Sequence, residues 1–249
     1  MKKKTITLVV YMLVCISLVS VGFAAWIITG GTSETTQAGI TASEVTDQSI
    51  NITGQKWTQS GAETATPEII FGAPVTPSTN TNYIWLKADG VATEKLEATY
   101  SFTIKVGDDQ NTTTTIKEVF NASASSIEFS IDADHQAAYT TATTDNAYIT
   151  APVITYTVGG DNYDTESAAL AAIAAVETNS VDVSIKIEFD WGTKTLGDNP
   201  HVYFNGESIV NADKPNPSAA DKTNAKDVLS KVYALNGAKY NLAINFDAK

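Results

Sequence analysis

The chain has 249 residues, of which 43% are hydrophobic and 18% charged, and its formal net charge is -12. All 16 basic residues are lysines against 28 acids, so the arginine forks that read phosphate and guanine are absent and nucleic acid is not an expected partner. The one cysteine, Cys15, falls within an apolar leader, which leaves a packed core rather than an internal disulfide to stabilise the fold.

At the start of the chain, Lys2, Lys3 and Lys4 precede an uncharged apolar run from Ile6 to Ala25 that closes on Gly22-Phe23-Ala24-Ala25-Trp26. A basic end, an apolar helix and small residues at the junction are the layout of a secretory signal peptide. Residues 1-24 are therefore read as the signal, with cleavage between Ala24 and Ala25, and the protein as secreted, at the cell surface or in the extracellular matrix. The competing reading is a retained anchor, because about 20 apolar residues can span a bilayer. Without the leader, 13 lysines face the 28 acids and the net charge is -15, a balance that keeps a secreted protein soluble and repels anionic lipid.

Residues 25-48 read as an N-terminal strand and leash. Trp26, Ile27 and Ile28 form a compact apolar cluster hinged on Gly30 and Gly31, and apolar area left in water costs about 25 cal/mol per Å². The cluster must dock, either in its own fold or along the open sheet edge of another copy, where strand addition would join subunits. These five residues are the candidates for self-association.

From residue 49 onward short strands follow one another. Ser49 to Thr53, Glu68 to Phe71 and Asn82 to Ala88 come first. In the last of these, Tyr83 and Trp85 oppose Ile84 and Leu86, so both faces need a cover: a glycan, a neighbouring subunit or the protein's own helix. Leu96 to Val106 alternates apolar and polar residues throughout, as expected of a strand with one buried and one wet face. Ser126 to Asp132, Ala147 to Thr150 and Val153 to Val158 are weaker strands, with turn chemistry at Gly107 to Asn111 and Gly159 to Asn162. Glu166 to about Glu177 is an alanine-rich helix capped by Asp164 or Thr165. Val181 to Trp191 alternates again, placing Ile185 and Phe189 inward and Lys186 and Glu188 outward. A second helix starts near Ser218, with Asp221 as its capping-box partner, and ends at Gly237. Tyr240, Leu242, Ile244 and Phe246 form the last strand. One wet face per strand points to antiparallel sheets, so residues 49-249 read as a single mainly β domain, an antiparallel two-sheet β-sandwich with two short helical insertions.

No catalytic motif accompanies this pattern. His135 and His201 lie far apart without HExxH or CxxC support. Asp132, Asp134 and Asp145 lack the spacing of a calcium loop and read as a solvated acidic segment. Glu188 and Asp190 share a strand face as glycosidase carboxylates do, but they alternate with core residues beside Lys186 and read as surface. Trp57, Trp85 and Trp191, with Tyr83 and Tyr203, have the flat rings that stack on sugars, and equally the rings of a core; Tyr83 and Trp85 are the candidate binding aromatics. No catalytic residue, cofactor or metal site is expected, and the chain does not read as an enzyme.

The junction Gly22-Phe23-Ala24-Ala25-Trp26 and the stretch from Gly39-Ile40-Thr41 to Ile52 resemble the TasA and camelysin family of secreted proteins of Gram-positive bacteria. The resemblance implies a jelly-roll sandwich acting as a subunit of extracellular biofilm fibres, joined through the N-terminal strand, with the chain itself as principal partner. The alternatives are a surface module that binds a glycan or matrix protein, and an ectodomain tethered by its uncleaved leader.

Overall fold

The computed structural model describes residues 34-36, 40-43, 50-71, 94-107, 113-205 and 218-249. The chain is mainly β. Its larger sheet is wholly antiparallel and contains β3 (Ile50–Gln59), β4 (Ala62–Thr64), β5 (Glu97–Val106), β7 (Val153–Val158), β8 (Asp161–Tyr163) and β9 (Ser180–Glu188), in the order β4-β3-β5-β9-β7-β8. The smaller sheet is built on the antiparallel pair of β6 (Ser126–Ile131) and β10 (Tyr240–Asn245). On the other side of β10 lies β2 (Ile40–Ser43), running parallel to it, with β1 (Glu34–Thr36) antiparallel to β2. The β2-β10 pair departs from the all-antiparallel expectation, because it joins segments far apart in the chain rather than the two arms of a hairpin.

The alternation in β5 and β9 works as the residue pattern requires. Ala98, Tyr100, Phe102, Ile104 and Val106 are buried, as are Val183, Ile185 and Ile187, while the intervening residues face out. Register aligns Tyr100, Ile185 and Tyr156 across three strands, so the centre of the sheet presents one continuous apolar face. Phe189 and Trp191 continue inward beyond the end of β9. Rings from both sheets meet in the core: Trp57 lies 6.3 Å from Tyr240, Phe102 6.0 Å from Phe246 and Phe189 5.9 Å from Tyr240, measured between centroids.

Strand β3 extends beyond the expected Thr53 to Gln59. One extra residue between Thr53 and Lys56 forms a bulge at Gly54, whose φ of 65° suits glycine. The bulge breaks the alternation that sequence reading depends on, and Trp57 turns inward beyond it. Gly159 and Gly160 make the two-residue turn of the β7-β8 hairpin, both at positive φ, and Asp161 belongs to a strand rather than to the turn.

Two expected strands are reduced to isolated bridges. The amides of Glu68, Ile69 and Ile70 go to the Gln59 side chain, the Ala238 carbonyl and the Lys95 carbonyl respectively, so no single partner strand runs beside them. Tyr148 and Ile149 both donate to the Ala142 carbonyl, and only Ile149 bridges to Trp191. The strand expected at 82-88 lies outside the described residues.

The α-helices number five rather than two among the described residues, beside short 3-10 turns at Thr144–Asn146 and Thr193–Thr195. The capped pair is present: α3 (Glu166–Ala174), with Thr165 Oγ1 accepting from the Ala168 amide at 3.3 Å, and α5 (Ala219–Tyr233), with the reciprocal Ser218-Asp221 box. At fifteen residues α5 is longer than a short insertion, and it buries Ala225, Val228, Leu229 and Val232. Helix α3 stops three residues early because the Val176 and Thr178 carbonyls accept from Lys117 and Ile116, in and at the start of α1 (Ile116–Val119). The other two are α2 (Gln136–Thr143) and α4 (Pro200–Asn205). Threonine-rich α2 gave no helical signal, yet Thr140, Thr141 and Thr143 return their hydroxyls to the carbonyls four residues back, at 2.8 to 3.0 Å. No helix among the described residues is long and apolar enough to cross a membrane.

Candidate functional site

The candidate site is the edge of β10 on which the segment 40-43 pairs. Tyr240, Leu242 and Ile244 of β10 point into the core, and Phe246 continues the series. Both ends of the strand are tied down. At its head the Asp132 carboxylate accepts the Lys239 amide at 2.6 Å and contacts His135 Nδ1 at 2.8 Å, while the Tyr240 amide donates to the Pro67 carbonyl. Partial burial works against the Asp132 charge, but the Lys239 amide and the His135 ring outweigh it and hold the carboxyl below its usual range. At the tail the Asn121 amide donates to the Asp247 carbonyl, the Asp247 amide to Ser125 Oγ and the Lys249 amide to the Val119 carbonyl.

The two edges of the β6-β10 pair differ. On β6 the Ile127 amide is taken by Glu166 Oε1 at 2.8 Å, so the start of α3 covers part of that edge and makes it a poor acceptor for a further strand. On β10 the neighbour is β2, with Thr41, Ala42 and Ser43 opposite Ala243, Ile244 and Asn245. An anchored strand is thus completed by a short segment from close to the N-terminus.

Ala24, Ala25, Trp26, Ile27, Ile28, Gly30, Gly31, Tyr83 and Trp85 lie outside the described residues. Trp57 and Trp191 are core residues, and Trp191 Nε1 donates to Glu94 Oε2 at 3.3 Å, so neither ring is free to stack on a sugar. Tyr203 is half-buried against Phe204, with ring centroids 5.0 Å apart. Glu188 sits on the outer face, where Lys186 Nζ lies 2.8 Å from it and 3.0 Å from Glu97. Glu188 and Glu97 together raise the Lys186 ammonium above its ordinary range. His201 falls in α4, far along the chain from the His135-Asp132 pair. Among the described residues no three His, Cys, Asp or Glu side chains gather as a metal site.

Sequence reading missed the roles of Asp132 and Glu166. Asp132 stood out only as one of several acids, and Glu166 only as the first helical residue. Both act on backbone amides contributed by distant segments, for which one-dimensional spacing carries no signal. No family model matches the chain, and no curated protein and no solved structure matches it.

Proposed function

We propose that this is a secreted structural protein, folded as a two-sheet, jelly-roll-like sandwich, that self-associates at the cell surface or in the matrix by N-terminal strand addition. The observation that supports this most is the completion of β10 by residues 40-43 through parallel pairing, beside a β6 edge already covered at Ile127 by Glu166. The same backbone groups are satisfied whether the added strand comes from the same chain or from another copy. Exchange in one direction gives an open head-to-tail polymer rather than a closed dimer. The export layout of residues 1-24 and the local resemblance to biofilm fibre proteins support the extracellular setting.

The test exploits the absence of cysteine after Cys15. The double variant Thr41→Cys/Ala243→Cys places one cysteine at each of two register partners of the β2-β10 pair. Oxidation after concentration should give a ladder of covalent oligomers on a non-reducing gel, and electron microscopy should show filaments. A purely monomeric, internally closed product would refute strand exchange between copies. The mass of exported material should correspond to a chain beginning at Ala25, whereas an intact Met1 to Lys249 chain in the membrane fraction would refute secretion.

A further inference from the structure

The outer face of the large sheet carries a trough that the self-association reading does not use. One line of register crosses five strands through Lys56, Ser101, Ser184, Thr157 and Asn162. The next line carries Thr53, Thr103 and Asp182. Side chains would normally fill such a face, but the walls here are bare backbone. On one side is the bulged Gly54, where an added Cβ would come 3.9 Å from Thr103 Oγ1. On the other is the hairpin turn at Gly160, where nothing lies within 4 Å. The trough is open to solvent and holds about 350 Å³, at the small end of the ~300 to 1,000 Å³ of small-molecule sites.

The polar groups in the trough are only partly committed. Thr103 Oγ1 donates to Asp182 Oδ1 at 2.6 Å and Thr157 Oγ1 to Asn162 Oδ1 at 2.8 Å. Among the described residues the Lys56 ammonium, the Ser101 and Ser184 hydroxyls and Asp182 Oδ2 make no bond. They form a balanced set, with a cationic donor, two hydroxyls that donate or accept, and an anionic acceptor oriented by Thr103. An anion would face the Asp182 carboxylate on a chain of net charge -12, and a cation would face Lys56. A neutral ligand rich in hydroxyls meets neither repulsion. Its O–H groups donate to Asp182 Oδ2, and its oxygens accept from Lys56 and the serines.

We infer that this trough binds a neutral saccharide chain. Among the described lining residues the one aromatic, Phe102, faces the core, so recognition rests on hydrogen bonds and is weak for a single site. Binding here does not depend on polymer formation.

Amide chemical-shift titration of the isotope-labelled protein with maltotetraose, cellotetraose and chitotetraose tests it, with tetragalacturonate as the anionic control. At least one neutral tetrasaccharide should give saturable shifts centred on Gly54, Ser101, Gly160 and Ser184, and tetragalacturonate should bind more weakly. Asp182→Ala should weaken that binding by about tenfold or more. Ser184→Val, which adds bulk in the trough with a residue that suits a strand, should abolish it while leaving the melting temperature close to that of the parent. Glu63→Gln, on β4 outside the trough, should leave binding unchanged. Absence of saturable shifts with all three neutral probes, shifts centred elsewhere, or tighter binding of the uronate would overturn the inference.

Discussion

Replacing Tyr240 with phenylalanine should make this protein more stable. The ring is fully buried at the junction of the two sheets, in contact with Trp57, Phe129 and Phe189, but its hydroxyl has no hydrogen-bond partner among the described residues. In the unfolded chain that hydroxyl is hydrated, and leaving it unpaired on burial costs about 1 to 3 kcal/mol. Tyr240→Phe removes this penalty and forfeits only the dispersion contacts of one oxygen, at roughly 0.1 to 0.2 kcal/mol per atom pair. The net expectation is a gain of about 1 kcal/mol, or ~2 to 4 °C in melting temperature for a domain of this size. Tyr240→Ala, by contrast, should cost about 3 to 5 kcal/mol because the ring leaves a cavity between rigid neighbours.

Thermal and urea denaturation of the three proteins decide the matter, and Tyr100→Phe, whose hydroxyl is also unpaired among the described residues, provides an independent repeat. The alkaline limb carries a second signature. Burial, and for Tyr240 also the nearby Glu97 charge, pushes both phenols far above their ordinary value. A phenol of raised folded pKa contributes stability that is intact below its unfolded value of about 10 and is lost as pH rises beyond it. Both Phe variants should therefore show a flatter decline above about pH 10. If Tyr240→Phe instead loses about 1 kcal/mol or more, its hydroxyl has a partner such as an internal water and the reasoning fails.

Three further outcomes follow from the same packing. Ile185→Asp, which places a charge between Tyr100 and Tyr156, should cost more than about 4 kcal/mol, whereas half-exposed Lys186→Ala should cost less than about 1 kcal/mol; similar melts for the two would show that the register is wrong. Gly192→Ala should destabilise by about 1 to 3 kcal/mol, since its Cβ would meet the Ala147 carbonyl at 2.5 Å with only backbone to give way; an unchanged urea midpoint would contradict that contact. Asp132 contributes stability that is present above the ordinary carboxyl value of about 4 and lost as pH falls through its depressed folded value, so Asp132→Asn should flatten the acid limb of the stability profile. An acid limb identical to the parent's would remove Asp132 as the clamp at the head of β10.

What the sequence by itself determined is whatever depends on neighbours along the chain. The alternation in β5, β9 and β10 set which side chains enter the core, because successive strand residues must face opposite ways. Thr165 and Ser218 marked helix starts because caps act within a turn of their own backbone, whereas α5 ends at Tyr233, short of the expected Gly237, whose amide goes instead to the Ile69 carbonyl. The wet outer face of the large sheet was equally legible from Ser101, Thr103, Asp182 and Ser184, but its trough was not, since that needs the Gly54 bulge and the Gly160 turn on opposite sides of the sheet. The tertiary structure alone decided the partners of β10, the Asp132 contact with Lys239, the Glu166 contact with the β6 edge and the close approach at Gly192. Each joins segments distant in the chain, and their geometry is set by how the strands pair and pack, information that periodicity within one segment does not contain.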